Sequence, residues 1–234
     1  MAFVAGKGAR VLLGAFDLSA YLKNAAITVQ KDTLDTTVFT DSAREYIEGQ
    51  KSGTATMSGL FDGADDTQDE QVQAAFASSS VTNALIALGG LTIGVPGYAG
   101  RVWDAQYEHG AAFDGLVTFG ASLQVDGGWE RAMSLHALAA ETGTANYTAV
   151  DNGAGTTAGG AGYIFVTAQS GTAGVVKIQH STDNVTFTDL ITFSALSGTS
   201  TVRTAVAGTV NRYVRANLTT ASTSITFQVS FARF

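Results

Sequence analysis

No cysteine occurs among the 234 residues, which excludes disulfides and zinc–thiolate sites. Proline occurs once while glycine occurs 27 times, a balance that favours many short strands joined by glycine turns over long helices. Charge is scarce at 14% of residues, yet 45% are hydrophobic, so the chain can bury cores and is not of the disordered class. No apolar run approaches the roughly 18 residues of a transmembrane helix. The opening "MAFVAGKGARVLLGAF" lacks the apolar segment of a secretory signal, so a soluble protein made in a cytoplasm, without a membrane partner, is expected. The N-x-S/T triplets at Asn146, Asn184 and Asn217 then read as chance matches in a Thr-rich chain.

What charge there is lies unevenly. Residues 1–142 hold 8 Lys/Arg against 17 Asp/Glu, and residues 143–234 hold 5 against 3. The asymmetry predicts two domains, 1–142 and 143–234, divided in the small, polar stretch "AAETGTANYTA". An acidic first part argues against nucleic-acid binding, since phosphate contacts need cations.

Along the chain, residues 1–9 read as a flexible arm and 10–16 as a strand. "DLSAYL" (17–22) reads as one helical turn capped by Asp17, and 25–32 as a second strand. Residues 33–52 show no sustained period and read as a long loop, a kind of segment that usually carries function. Alternation resumes at 53–61. Val72, Ala75, Phe76 and Ser79 fall at helical spacing and predict an amphipathic helix over 68–79. Strands are expected at 81–90, 91–95, 100–111 and 115–128, with 129–139 open between strand and helix. From Val117 to Val125 apolar and polar residues alternate strictly, a half-buried strand. Beyond residue 142 about seven short strands with intervening turns, among them "STDN" (181–184), predict a small antiparallel sandwich.

The chemistry-bearing candidates are few. Four aspartates and a glutamate crowd residues 62–70. An EF-hand loop would need D-x-[DN]-x-[DN]-G, which no start here supplies. Thr67 and Glu70 instead fit a capping box, with acids favoured in a first helical turn. Gly153, Gly155 and Ala158 satisfy a dinucleotide fingerprint on paper, but a strand follows where a helix is required, so a loop is read there. His109, His136 and His180 are isolated and read as structural or surface histidines. No G-x-S-x-G elbow occurs, and no carboxylate pair stands out, so neither catalytic residues nor a cofactor are expected. Trp103 and Trp129 read as core or interface aromatics. Tyr163, Phe165, Phe187, Phe193 and Tyr213 either fill the second sandwich or line a glycan-facing surface, with Tyr163 and Tyr213 the candidates for the latter.

The order of these features, with "DTTVFTDSAREYIEG" (35–49), "DDTQDEQVQAAF" (65–76) and "FGASLQVDGGWER" (119–131), resembles the major tail tube proteins of long, non-contractile-tailed phages. The likeness spans about residues 10–138. It implies a mainly β chain: a tail-tube-type β-sandwich or barrel with one flanking α-helix, plus a second small antiparallel β-sandwich domain. It also implies six copies joined edge to edge in a ring, and rings stacked into a hollow tail tube that conducts DNA at ejection. The long loop would then reach the adjoining ring or subunit through Asp35, Thr36, Thr37, Phe39, Arg44, Tyr46 and Ile47. Implied partners are further copies of the chain, tail tip or baseplate and tail terminator proteins, and tape measure protein and DNA passing the lumen without specific binding. Residues 143–234 resemble an appendage on the outer tube surface whose role is weak adhesion to host glycan, tube stabilisation or neither, and the charge asymmetry and the set of short strands predict that they fold alone. The competing readings are another phage virion component, such as a decoration or tail-completion protein, and a carbohydrate-binding module or hydrolase.

Because helix capping accounts for the acidic run, the melting temperature should not change when a chelator is added. A fall restored by calcium would contradict this, since a bound metal stabilises the state that binds it.

Overall fold

In the computed structural model residues 5–40, 42–220 and 223–234 are described. The expected N-terminal arm lies partly outside them; Gly6–Gly8 form a short 3-10 turn. The strands are β1 (Arg10–Leu13), β2 (Phe16–Asp17), β3 (Leu22–Asp35), β4 (Tyr46–Leu60), β5 (Thr82–Ala87), β6 (Pro96–Gly110) and β7 (Thr118–Glu141), with helix α1 (Gln68–Ala77) between β4 and β5. Then follow β8 (Ala145–Asn146), β9 (Val150–Asp151), β10 (Gly160–Ser170), β11 (Gly174–Ser181), β12 (Thr188–Leu196), β13 (Ser200–Val206), β14 (Tyr213–Thr220) and β15 (Ser224–Arg233). Among the described residues the chain is thus mainly β with one α-helix, as the sequence predicts.

The elements group into two units, one of residues 1–20, 82–99 and 130–234, the other of residues 21–81 and 100–129. In the second unit β3 pairs with β4 and β4 with β7, all antiparallel. The β4–β7 register sets Ala55 against Leu123, Met57 against Ala121 and Gly59 against Phe119. These side chains share one face and are buried, which is the alternation visible in the sequence. Gly53 is required by a close approach, because a Cβ there would sit 2.5 Å from the Trp129 ring and from the Thr28 carbonyl oxygen. Helix α1 covers part of the core with Val72 and Gln68. Phe76, expected on that buried face, is half exposed; the face follows Gln68, Val72 and Ala75 at i, i+4 and i+7 instead.

The first unit contains a sandwich. One of its sheets runs β13-β10-β15-β7, and the other runs β12-β11-β14 with β8 and β9 on the far edge of β14. Ile164, Val166, Phe227, Val229 and Leu135 of the former pack on Val176, Ile178, Ile191, Phe193, Val214, Ala216 and Leu218 of the latter. Ala161, Tyr163 and Phe165, on the opposite face of β10, pack in a second cluster with Leu12, Leu85, Ala87 and Leu91. Strand β10 is therefore buried on both faces. The segment 91–95, expected as a strand, is a turn: Gly94 takes a positive φ of 84° and Val95 N–H donates to Thr92 O at 3.0 Å.

The expected division at residue 142 is not where the units part. Strand β15 pairs with β7 from Ile225 opposite Glu141 to Ala232 opposite Ala132, so residues on both sides of 142 share one ladder. The change in charge at that point reflects surface composition, whereas hydrogen bonding and apolar burial decide which strands belong together. A chain ending at Ala140 loses the partners of Leu12, Leu85 and Leu91, each worth roughly 1.5–3 kcal/mol when fully buried. Such a chain should precipitate or melt at least about 10 °C lower. An unchanged melting temperature would show that residues 143–234 are an independent domain after all.

Candidate assembly interface

The segment 33–52, read from sequence as a loop, is half strand: 33–35 end β3 and 46–52 open β4, with the connection between them. β-Formers on both sides, Thr28, Val29, Thr33 and Leu34 against Tyr46, Ile47 and Thr54, pair β3 and β4 into a long hairpin. Leu34 stands opposite Ile47 and Asp35 opposite Tyr46. The register shifts between Lys31 and Thr33, where Gly49 lies against Asp32 closely enough that a Cβ would be 2.8 Å from the Asp32 Cβ. Lys31 Nζ meets Glu48 Oε1 at 2.5 Å across the ladder, which holds the exposed Glu48 carboxyl below its ordinary range.

The connection at the tip is organised by side chains. Thr36 N–H donates to Glu45 O at 2.9 Å, Glu45 N–H to Thr37 Oγ1 at 3.0 Å, and Thr37 N–H to Asp35 Oδ1 at 2.9 Å. The bonds from Thr37 lower the Asp35 pKa. Arg44 Nη1 reaches the Tyr46 hydroxyl at 3.4 Å. The structure thus brings the predicted residues Asp35, Thr36, Thr37, Phe39, Arg44, Tyr46 and Ile47 together at one end of a hairpin, and all are exposed. From Gln30 to Asp35 and from Tyr46 to Lys51 neither face of the ribbon packs on a core. Leu34, Tyr46 and Ile47 are more than half exposed, and Phe39 is fully exposed, at 111% of its reference area. Large apolar side chains gathered on an unsupported ribbon mark an interaction surface.

The acidic run folds differently from the capping box expected of it. Thr67 is the N-cap residue, but its hydroxyl donates to Asp62 O at 2.8 Å and Ala64 O at 2.6 Å and not into the helix. Glu70 Oε2 accepts from Asp66 N–H at 2.8 Å, one residue before the expected partner. Asp66 has a positive φ of 60°, which turns its N–H toward Glu70. Asp69 accepts from the Tyr107 hydroxyl at 2.6 Å, and Gln68 Nε2 donates to the same oxygen at 2.8 Å. Burial and Asp69 both raise the Tyr107 pKa. Among the described residues no group of three His, Cys, Asp or Glu is placed to hold a metal.

The glycan-facing pair divides. Tyr163 is fully buried, because both faces of β10 are covered, and this overturns its assignment to a surface. Its hydroxyl donates to Glu130 Oε2 at 2.6 Å and accepts from Arg203 Nε at 3.0 Å, while Arg203 also pairs with Glu130. Phe165 and Phe193 are likewise core. Tyr213 is half-buried and carries the Arg212 guanidinium 5.0 Å from its ring centre, itself held by Asp151 at 2.6 Å. Trp129 is buried and Trp103 is 42% exposed. His136, on β7, stacks on Phe227 at 4.3 Å, with Tyr147 4.1 Å away, as a structural histidine.

Two features escaped the sequence reading. The tip of the β6–β7 hairpin exposes Phe113 and Leu116; the D-G turn beside Phe113 was the available signal. Asp104, on β6, has both carboxylate oxygens sealed from solvent, and among the described residues neither has a partner in hydrogen-bonding geometry. The Gln106 N–H offsets only a little of the cost, and burial pushes the carboxyl up to about 7.

The sequence matches the family described as phage tail tube protein over residues 4–131. No curated protein matches it. Among solved structures it is similar to a chain of the virion of a native gene transfer agent particle, at 18% identity and a TM-score of 0.46, covering 55% of this chain and 98% of that one. It is similar also to the SPP1 tail tube protein, at 13% identity and a TM-score of 0.44, covering 54% and 77%. The SPP1 Dit protein, of a phage hub adsorption apparatus, aligns over 97% of this chain and 99% of its own at 12% identity and a TM-score of 0.39.

An acid whose folded pKa lies above its unfolded value of about 3.9 weakens the fold as pH rises between the two. Stability of the unassembled chain should therefore fall from about pH 4 to about pH 7 through Asp104. Asp104→Asn should flatten that fall and raise the urea midpoint at pH 8 more than at pH 4. An equal change at both would show that the buried carboxyl is not the cause.

Proposed function

The chain belongs to the phage tail tube protein family, and from that premise we propose that its β3–β4 hairpin joins copies into stacked hexameric rings whose lumen conducts DNA at ejection. The protein is a structural component of the phage tail, in the family of phage tail tube proteins. The observation that carries the proposal is the ribbon of residues 30–35 and 46–51, which has no core of its own on either face. Two strands alone are marginal in water, so a second copy is the natural cover. Arg44 and Tyr46, of the types enriched at the energetic centres of interfaces, stand at its end.

The acidic balance of residues 1–142 supports a DNA conduit, since a negative wall repels phosphate and lets the duplex slide without adhering. The near-neutral residues 143–234 suit the outside of the tube. Tube growth from a tail tip or baseplate, closure by a terminator protein, passage of a tape measure protein and assembly in the host cytoplasm belong to the same reading. For host glycan the half-buried Tyr213 remains as the candidate contact.

Replacing Arg44 and Tyr46 together by Ala removes the two anchors and no core contact. The double variant should keep its circular dichroism and melting temperature while tube growth stops, seen by negative-stain microscopy. Tubes of normal length would sink the assignment of the hairpin.

A further inference from the structure

The second unit carries a second bare tip. Between β6 and β7, Gly115 N–H closes a turn on Ala112 O at 3.2 Å, and Thr118 Oγ1 donates to Gly110 O at 3.3 Å. Phe113, at 108% of its reference area, and Leu116, at 69%, stand clear of the chain that bears them. Register fixes where this tip lies. Leu60 of β4 pairs with Thr118 and Thr54 with Gln124, so the β6–β7 tip is beside the end of β4. The β3–β4 tip is beside its beginning, at Tyr46. At about 3.3 Å per residue the 15-residue strand holds the two tips roughly 45 Å apart, facing opposite ways.

Resting on the reading of β3–β4 as the assembly element, we propose that the β3–β4 tip of one copy docks on the β6–β7 tip of the next, head to tail along the strand direction. The occupant of each tip is thus a second copy of this chain. A contact between two different surfaces at opposite ends of a subunit is heterologous and repeats without closing on itself, which is what growth in layers requires. A like-to-like contact between two β3–β4 tips would stop at a pair. The chemistry of the tips agrees. Each offers an exposed phenylalanine beside branched apolar side chains, Leu34 and Ile47 on one, Leu116 on the other. Arg44 flanks the first and Asp114 the second, and among the described residues neither has an ion-pair partner in its own copy. Docking would bring these opposite charges to one interface, where complementarity sets register and orientation more than affinity.

The test uses the full chain with Phe39→Asp or Phe113→Asp, each purified separately, with melting temperature as the check on folding. Each variant alone should stop at the smallest assembly. A Phe39→Asp assembly still offers an intact β6–β7 tip, and a Phe113→Asp assembly an intact β3–β4 tip. An equal mixture should therefore sediment at twice the mass of either and grow no further. Long tubes from Phe113→Asp alone, or no doubling in the mixture, would overturn the docking and leave the β3–β4 reading standing. Long tubes from Phe39→Asp alone would overturn both. If an aspartate variant fails to fold, the charge pair decides. Arg44→Glu and Asp114→Lys should each shorten tubes and together restore their length, and failure of that rescue would overturn the docking.

Discussion

A two-stranded antiparallel ribbon has one ladder of hydrogen bonds, two outer edges and two faces, and in water that ladder barely offsets the entropy of ordering the strands. Beyond residue 30 the β3–β4 hairpin is such a ribbon, and the rest of the second unit can be understood as its mounting. The mounting is the seven-residue ladder from Thr54–Gln124 to Leu60–Thr118, where β4 gains a second neighbour and its alternate side chains gain a core. Buried and exposed residues alternate along β4 from Gly53 onward and stop alternating before it. That point marks where the protein's own packing ends. The Lys31–Glu48 pair is too exposed to hold the outer part rigid, as surface ion pairs contribute about 0–1 kcal/mol. The far end is therefore adaptable, and its order depends on what covers it.

The same logic explains what the sequence disclosed and what it withheld. The run from Phe119 to Val125 was legible because one face of β7 meets a core and the other does not, which stamps a period of two on the residues. Residues 33–52 bear no such stamp, because both faces of the ribbon are exposed, and an aperiodic polar strand looks like a loop. What was legible there was composition: an Arg, a Tyr and a Phe in a segment with no core to fill. Tyr163 failed in the opposite way. In a strand covered on both faces, neither alternation nor polarity says which aromatic is hidden, and its hydroxyl is satisfied only by Glu130 and Arg203, 33 and 40 residues away. The T-x-x-E capping box failed on local backbone, since the left-handed turn at Asp66 redirected the bond from Glu70.

Residue 142 shows why composition is a poor guide to where one folding unit ends. Charge is a property of solvent-facing positions, and it changes sharply there. The ladder between β7 and β15 is a property of backbone groups, and it continues across. Strand β10 has β13 on one side and β15 on the other, and apolar clusters on both faces. Every backbone and side-chain surface of its central residues is thus occupied by its own chain. The outer ribbon of β3 and β4 stands at the other limit, built from the same β-branched and aromatic types but with nothing of its own to bury them. Strand propensity is common to both, and neighbours make the difference. A strand surrounded by its own chain fixes the subunit, whereas a strand pair left bare keeps apolar surface for another surface to cover. A chain that must fold before it assembles needs both kinds at once.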